Sequence, residues 1–272
     1  MDMLDGIILN QFEEEERLDP EQDYNNSKQF LIALAIAEKY FTKGRTLEAY
    51  MCACQAFLIS EKQVILTLLG RIGIMMERYS FSINMLNYGE LTAADELLRE
   101  DAHKQLNLLQ MKLCASFDEI AESDKKNSIG NEFYKQSKFE EALKLYEEAC
   151  RIYPFNFKAT LNIARINRFY RRFEECGKKI FFVIDNCTEQ ETIGKAYFLL
   201  TKVFIEMNFP SAAHHFLEVI EKSYSKGNEN EVDQIRREIR EKVSIVTSSN
   251  PEQDSPETYF LSKSKRYFST NK

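Results

Sequence analysis

Glycine and proline are scarce, nine and five in 272 residues. Barrels and sandwiches draw on both at their many turns, so the shortage disfavours an all-β architecture, and the wealth of Leu, Ala, Glu, Lys and Ile suits helices. Apolar runs are short. Stretches such as Leu31 to Ala37 or Val64 to Gly70 fall far below the ~20 residues that cross a bilayer, so no membrane insertion is expected. The start carries Asp2 and Asp5 in place of a basic leader, which speaks against a secretory signal. These absences predict a soluble intracellular protein, placed in the cytoplasm with the nucleus and cilium left open.

Groups that do chemistry are equally sparse. Of three histidines, His214 and His215 are neighbours that point about 100° apart on a helix, and His103 sits in a charged stretch. The six cysteines (52, 54, 114, 150, 176 and 187) form no C-x-x-C pair and mostly lie in apolar helical patterns. They read as reduced, buried thiols. There is no Gly-rich phosphate loop and no Ser/His/Asp or Cys/His spacing. The expectation is a protein without catalysis, cofactor or metal site.

Charge is uneven. Residues 1–29 hold nine acids and two bases, which is the whole net charge of −7; the rest carries 34 residues of each sign. Residues 1–28 therefore read as an acidic, mobile arm. Glu13 to Glu16 with Leu18 are of the kind a basic groove accepts, although a solubilising tail explains the charge as well. From Phe30 the pattern is helical, with Leu31, Leu34, Ala35, Glu38 and Phe41 at 3–4 spacing and a break at Lys43-Gly44. Thr92 with Asp95 resembles a capping box, and Ser137 with Glu140 and Thr188 with Glu191 repeat the same helix-start signal. Pro210 suits a helical first turn. A closing helix is expected over 227–246, and residues 247–272 read as a disordered tail.

One segment carries a specific repeat. Ile129-Gly130, Phe133, Phe139, Ala142, Tyr146, Ala149 and Pro154 fall at the offsets of a 34-residue helix–turn–helix repeat over 123–156, with Lys126 in place of the opening Trp. On these residues the chain resembles the tetratricopeptide-repeat family. A weaker copy starts at Phe157, and a third lies near 193–226 with Leu200, Phe209, Ala212, Phe216 and Val219. Residues 30–63 resemble a degenerate copy, and another is expected to start near Met75, with Gly89, Leu91, Ala94 and Leu98 in register. Degenerate helical repeats are thus expected over 29–122 and a repeat core over 123–226.

The resemblance implies an all-α, right-handed superhelix of antiparallel helix pairs whose first helices line a concave groove. Such arrays bind a peptide or a partner helix. By family register, Lys158, Arg165 and Arg168 face the groove, joined by Asn131, Tyr134 and Lys135 before them and Tyr197 after them. Asn162 lies on the same helix as the arginines. Arginine forks beside amides and phenols suit carboxylates, which favours an acidic peptide or C-terminus. A solvated stripe offset by Glu174 and Glu175 explains the same charges. The implied function is a scaffold or adaptor, a subunit of a multiprotein complex. The alternative is a co-chaperone with a carboxylate clamp for the acidic C-terminus of heat-shock chaperones. That clamp is altered here: Asn131 and Asn162 are kept, Asn127 stands where a Lys belongs, and Gly194 and Phe198 replace the basic pair beside Lys195. Nucleic acid is disfavoured, since the body lacks a wide basic field.

Overall fold

The computed structural model describes residues 20–59, 63–111, 115–224 and 229–248, and every regular element within them is an α-helix. Residues 1–19 of the expected arm, Cys114 and residues 249–272 of the expected tail lie outside the described residues. Two units are present, Met1–Asn186 and Cys187–Lys272. The first contains α1 (Pro20–Thr42), α2 (Thr46–Ile59), α3 (Gln63–Met75), α4 (Tyr79–Tyr88), α5 (Ala93–Met111), α6 (Phe117–Lys135), α7 (Phe139–Ile152), α8 (Phe157–Phe169) and α9 (Phe173–Asn186). The second contains α10 (Gln190–Glu206), α11 (Pro210–Ser223) and α12 (Glu229–Ser248). Residues 20–28, expected to belong to the arm, are the first turns of α1.

Five hairpins share one turn. Gly44, Glu77, Ser137, Arg171 and Asn208 all have positive φ, between 57° and 71°. The amide of the next residue then reaches back five positions: Arg45 to Tyr40 O, Arg78 to Gly73 O, Lys138 to Phe133 O, Arg172 to Asn167 O and Phe209 to Phe204 O, at 2.8–3.0 Å. These bonds satisfy carbonyls that a helix end leaves open, and the left-handed residue reverses the chain. Seven residues before the turn stand Ala37, Gly70, Gly130, Ala164 and Thr201; five after it stand Ala49, Ser82, Ala142, Cys176 and Ala213. All ten are small and buried, so the paired helices approach closely in every hairpin. Register counted from the turn also moves the third copy by one residue, from Ala212 to Ala213. The copy expected to start near Met75 is instead the α3/α4 hairpin, in which Met75 ends the first helix.

Caps divide in the same way. Thr92 and Asp95 cap the start of α5 as their spacing predicts, Thr92 N–H donating to Asp95 Oδ2 at 3.0 Å. Ser137 cannot cap α7, because it is the left-handed turn residue and Lys138 is the N-cap. The N-cap of α10 is Glu189, one residue beyond Thr188, and its side chain makes no capping bond. A full capping box forms at α6, where Ser116 and Glu119 exchange bonds of 2.8 and 3.2 Å.

Around α6–α8 the core is Ala142, Tyr146 and Ala149 against Ala159, Ile163 and Ile166. A Cβ on Gly130 would lie 2.6 Å from the Tyr146 ring, so glycine is what leaves room for the ring there. Sheltering a side chain of this size contributes roughly 1.5–3 kcal/mol.

A second interface of the first unit, where α2 and α4 meet α9, carries buried charge. Arg78, 1% exposed, caps α4 and sends its guanidinium to α9, where Nε and Nη2 donate to the two Asp185 oxygens at 2.9 and 2.7 Å. Nη1 donates to the Tyr50 hydroxyl at 3.0 Å, and the rings of Phe81 and Phe181 lie 4.4 and 4.3 Å from the guanidinium carbon. Nearby, Glu174 of α9 caps α2: it accepts from Leu47 N–H at 3.1 Å and from the Thr46 hydroxyl. Burial, with Glu48 beside it, pushes the Glu174 carboxyl up to about 7.

In the second unit, Phe204 stacks on Phe216 at 5.4 Å, and Val232, Ile235 and Ile239 of α12 are buried. Cys52, Cys54, Cys176 and Cys187 are buried and Cys150 is half-buried.

Candidate functional site

The register between α6 and α8 is set by a buried polar joint. Asn156 caps α8 by accepting from Ala159 N–H at 3.0 Å, and its Nδ2 donates back to Ser123 Oγ at 2.9 Å and Asp124 Oδ1 at 3.1 Å on α6. Ser123 Oγ in turn donates to the Ala149 carbonyl of α7 at 2.8 Å. Three helices are thereby locked at one end before any exposed residue is placed.

One turn further along, side-chain amides bridge the same two helices. Asn162 of α8 donates through Nδ2 to Asn127 Oδ1 and to Asn131 Oδ1 on α6, both at 3.0 Å. Asn131 Oδ1 also accepts from the Tyr146 hydroxyl at 2.8 Å. Burial, and then the nearby Tyr134 phenol, push the Tyr146 phenol up to about 12, so it stays protonated and remains a donor. Arg165 Nη1 donates to Asn162 Oδ1 at 2.7 Å, which holds an exposed guanidinium at the end of the chain of amides. Asn131 Oδ1 is thus doubly used, and its Nδ2 has no protein partner among the described residues. The face presents an amide donor and a guanidinium fork, an arrangement suited to a carbonyl or carboxylate oxygen.

The remaining candidates lie around this centre. Lys158 and Asn162 are four residues apart on α8, Arg165 three further on, so the three share a face; Lys158 is exposed and Arg168 half-buried. On α6, Lys135 is exposed and its ammonium meets Glu132 at 2.8 Å. Tyr134 is partly exposed, its ring edge-on to Phe139 at 5.2 Å. Tyr197 is the exception. It belongs to the second unit, is 3% exposed, and packs its ring on Phe216 and Tyr224 at 6.1 and 5.7 Å. Buried inside its own hairpin, it is unavailable to a peptide, which corrects its placement on the groove. Glu174 does not offset the arginine stripe either, since it is engaged at α2.

Asn127 and Tyr146 complete the network and were not among the expected site residues. Asn127 stands one helical turn before Asn131, the signal that would have marked it; Tyr146 entered the sequence analysis only as a residue of the repeat pattern. Among the described residues, no group of three His, Cys, Asp or Glu side chains gathers to hold a metal, and no helix is long and apolar enough to cross a membrane.

No protein-family model matches the chain. It is 26% identical over 160 residues to the Hsp70-Hsp90 organising protein of Plasmodium falciparum (isolate 3D7). That match covers 56% of this chain and only 27% of the relative's length. Among solved structures, a complex of the TPR2AB domain of yeast Sti1 with pHSP90 aligns with 79% of this chain and 99% of its own, at 14% identity and a TM-score of 0.41.

Proposed function

We propose, on the premise that this chain is a tetratricopeptide-repeat protein, that it is a non-catalytic cytoplasmic adaptor within a multiprotein complex, holding an acidic peptide against α6 and α8. The observation that carries this reading is the amide chain Asn127–Asn162–Asn131–Tyr146 with Arg165 bonded to its end. Asn131 holds the peptide backbone or terminal carboxylate through its Nδ2, Asn162, whose two amide hydrogens go to Asn127 and Asn131, orients Asn131 and Arg165 for that contact, Lys135, Lys158, Arg165 and Arg168 pair with acidic groups, and Tyr134 packs on side chains. The printed name of the Plasmodium relative favours a chaperone as the partner. Departures from the clamp at Asn127, Gly194 and Phe198 weigh against a standard clamp, so chaperone binding is the second reading.

The test is titration of fluorescently labelled acidic peptides, including a chaperone C-terminus, onto the full chain. The expected result is binding that Arg165→Glu/Arg168→Glu weakens by at least about tenfold with the helix content intact, given ~1.5–3 kcal/mol for a charged hydrogen bond. Amidating the peptide's C-terminus separates terminal-carboxylate recognition from side-chain recognition. Equal affinity for wild type and double variant would remove the arginines from the site. Selective binding of the chaperone peptide would make the second reading the first.

A further inference from the structure

A cavity of about 550 Å³ opens between α1, α3 and the α4–α5 connection. Its walls include Glu38 and Phe41 of α1, Val64, Leu68 and Arg71 of α3, and Glu90 beyond α4. The size is that of a pocket for a small ligand or a few side chains, roughly 300–1,000 Å³.

The helices that line it carry more apolar surface than their folding uses. On α1 the buried face is Phe30, Ala33, Ala37 and Tyr40. The neighbouring stripe, Leu31, Ala35, Glu38 and Thr42, follows a helical 4-3-4 spacing and is exposed. Leu31 is 60% exposed, and on α3 Val64 and Met75, on one stripe with Leu68 and Arg71, are 43% and 41% exposed. Of these side chains Val64 lines the cavity itself, with Phe41 of α1 and Leu68 of α3 beside it.

The sign of the groove follows from its ion pairs. Arg71 Nε and Nη2 donate to the two oxygens of buried Asp95 at 2.6 and 2.8 Å. That pairing holds the Asp95 carboxyl far below the usual carboxylate range, so the two charges cancel. Glu38 and Glu90 remain, both exposed at the walls. An acidic segment is repelled here, whereas a cation next to an apolar side chain is matched by acid and aliphatic surface together.

We propose that the α1/α3 groove is a second docking site, which takes a segment of another protein that presents apolar side chains beside a Lys or Arg. Its ligand is opposite in charge to that of the α6/α8 face, so one adaptor carries two segments of opposite sign.

The test is selection of a random 12-residue peptide library on the immobilised full chain, in parallel on Val64→Glu, Glu38→Lys and Arg165→Glu variants. Both α1/α3 substitutions fall on exposed side chains, and unchanged thermal melts establish folding. The expected result is enrichment of peptides with Leu, Ile or Phe next to Arg or Lys, lost at least about tenfold on Val64→Glu and Glu38→Lys and retained on Arg165→Glu. Acidic peptides lost only on Arg165→Glu would report the other face. The proposal is overturned if no basic–apolar class is enriched, or if that class survives Val64→Glu. It is also overturned if sedimentation shows the groove closed by a second copy, with a dimer that Val64→Glu dissociates.

Discussion

In α6/α7 the helices meet where Gly130 lies under the Tyr146 ring; in α3/α4 Gly70 lies against Leu86, and both pairs stand at the same distances from their turn residues. The backbone device is common to α1–α4 and to α6–α9. What differs is how each pair of hairpins is joined to its neighbour. Between α6/α7 and α8/α9 the joint combines small apolar residues with neutral amides; between α1–α4 and α9 it is a buried ion pair and a half-buried carboxyl. A repeat signature records packing within a hairpin and against an identical next one. Where the neighbour is approached through charge, the signature residues are free to drift while the turn persists.

The ion pair gives the largest expected effect. Arg78→Met leaves Asp185 unpaired in a site closed by Phe81 and Phe181, and a destabilisation of ~3–5 kcal/mol is expected in urea unfolding. Arg78→Met/Asp185→Leu should recover much of that loss. If the single variant unfolds within 1 kcal/mol of wild type, on the order of a surface pair, the two joints do not differ as described.

Next is a pH effect confined to the charged joint. Glu174 binds its proton more tightly folded than unfolded, where its value is near 4.5. The stability it contributes is therefore present at low pH and lost as the pH rises through about 7. Allowing for screening of a partly exposed group, the loss amounts to about 1–2 kcal/mol. Glu174→Gln should flatten this part of the stability–pH curve, read by urea midpoints across that window. The Asn156–Ser123 bond itself carries no titratable group, so an unchanged curve in the variant would erase the contrast.

The smallest effect tests what the hairpins share. A Cβ on Gly44 meets nothing within 4 Å, so Gly44→Ala isolates the cost of left-handed backbone, about 1 kcal/mol. Ser137→Gly should change stability in the opposite sense by less than that, since glycine also loses more freedom on folding. Equal signs in thermal melts would mean the turns are not equivalent.

The sequence made the α6/α7 hairpin legible because its small and aromatic residues fill identical neighbours, and its offsets survive intact. It also identified α1 as a helix, but not its inner face: with Leu31, Leu34, Ala35 and Ile36 beside Phe30, Ala33 and Ala37, apolar residues occur almost all round, and periodicity has no contrast to read. Asn131, Asn162 and Arg165 were visible as residue types at helical spacing. Their mutual bonds were not, because they depend on the Asn156–Ser123 joint that sets the helices' register. Arg78 was the least legible residue. A lone arginine next to a turn reads as solvated, and only the fold brings Asp185 to it from 107 positions away. Tyr197 was misplaced for a related reason, since a phenol in register with a groove carries no mark that it fills a hairpin core instead.

That separation of 107 residues has a consequence during synthesis. Arg78, Tyr50 and Phe81 leave the ribosome well before Asp185 and Phe181 exist to cover them. At about 5–20 residues per second, the first four helices wait on the order of 5–20 s with a cation and two aromatic rings uncovered. The nascent chain therefore passes through a stage of greater stickiness than the finished protein, and that stage ends only when α9 emerges.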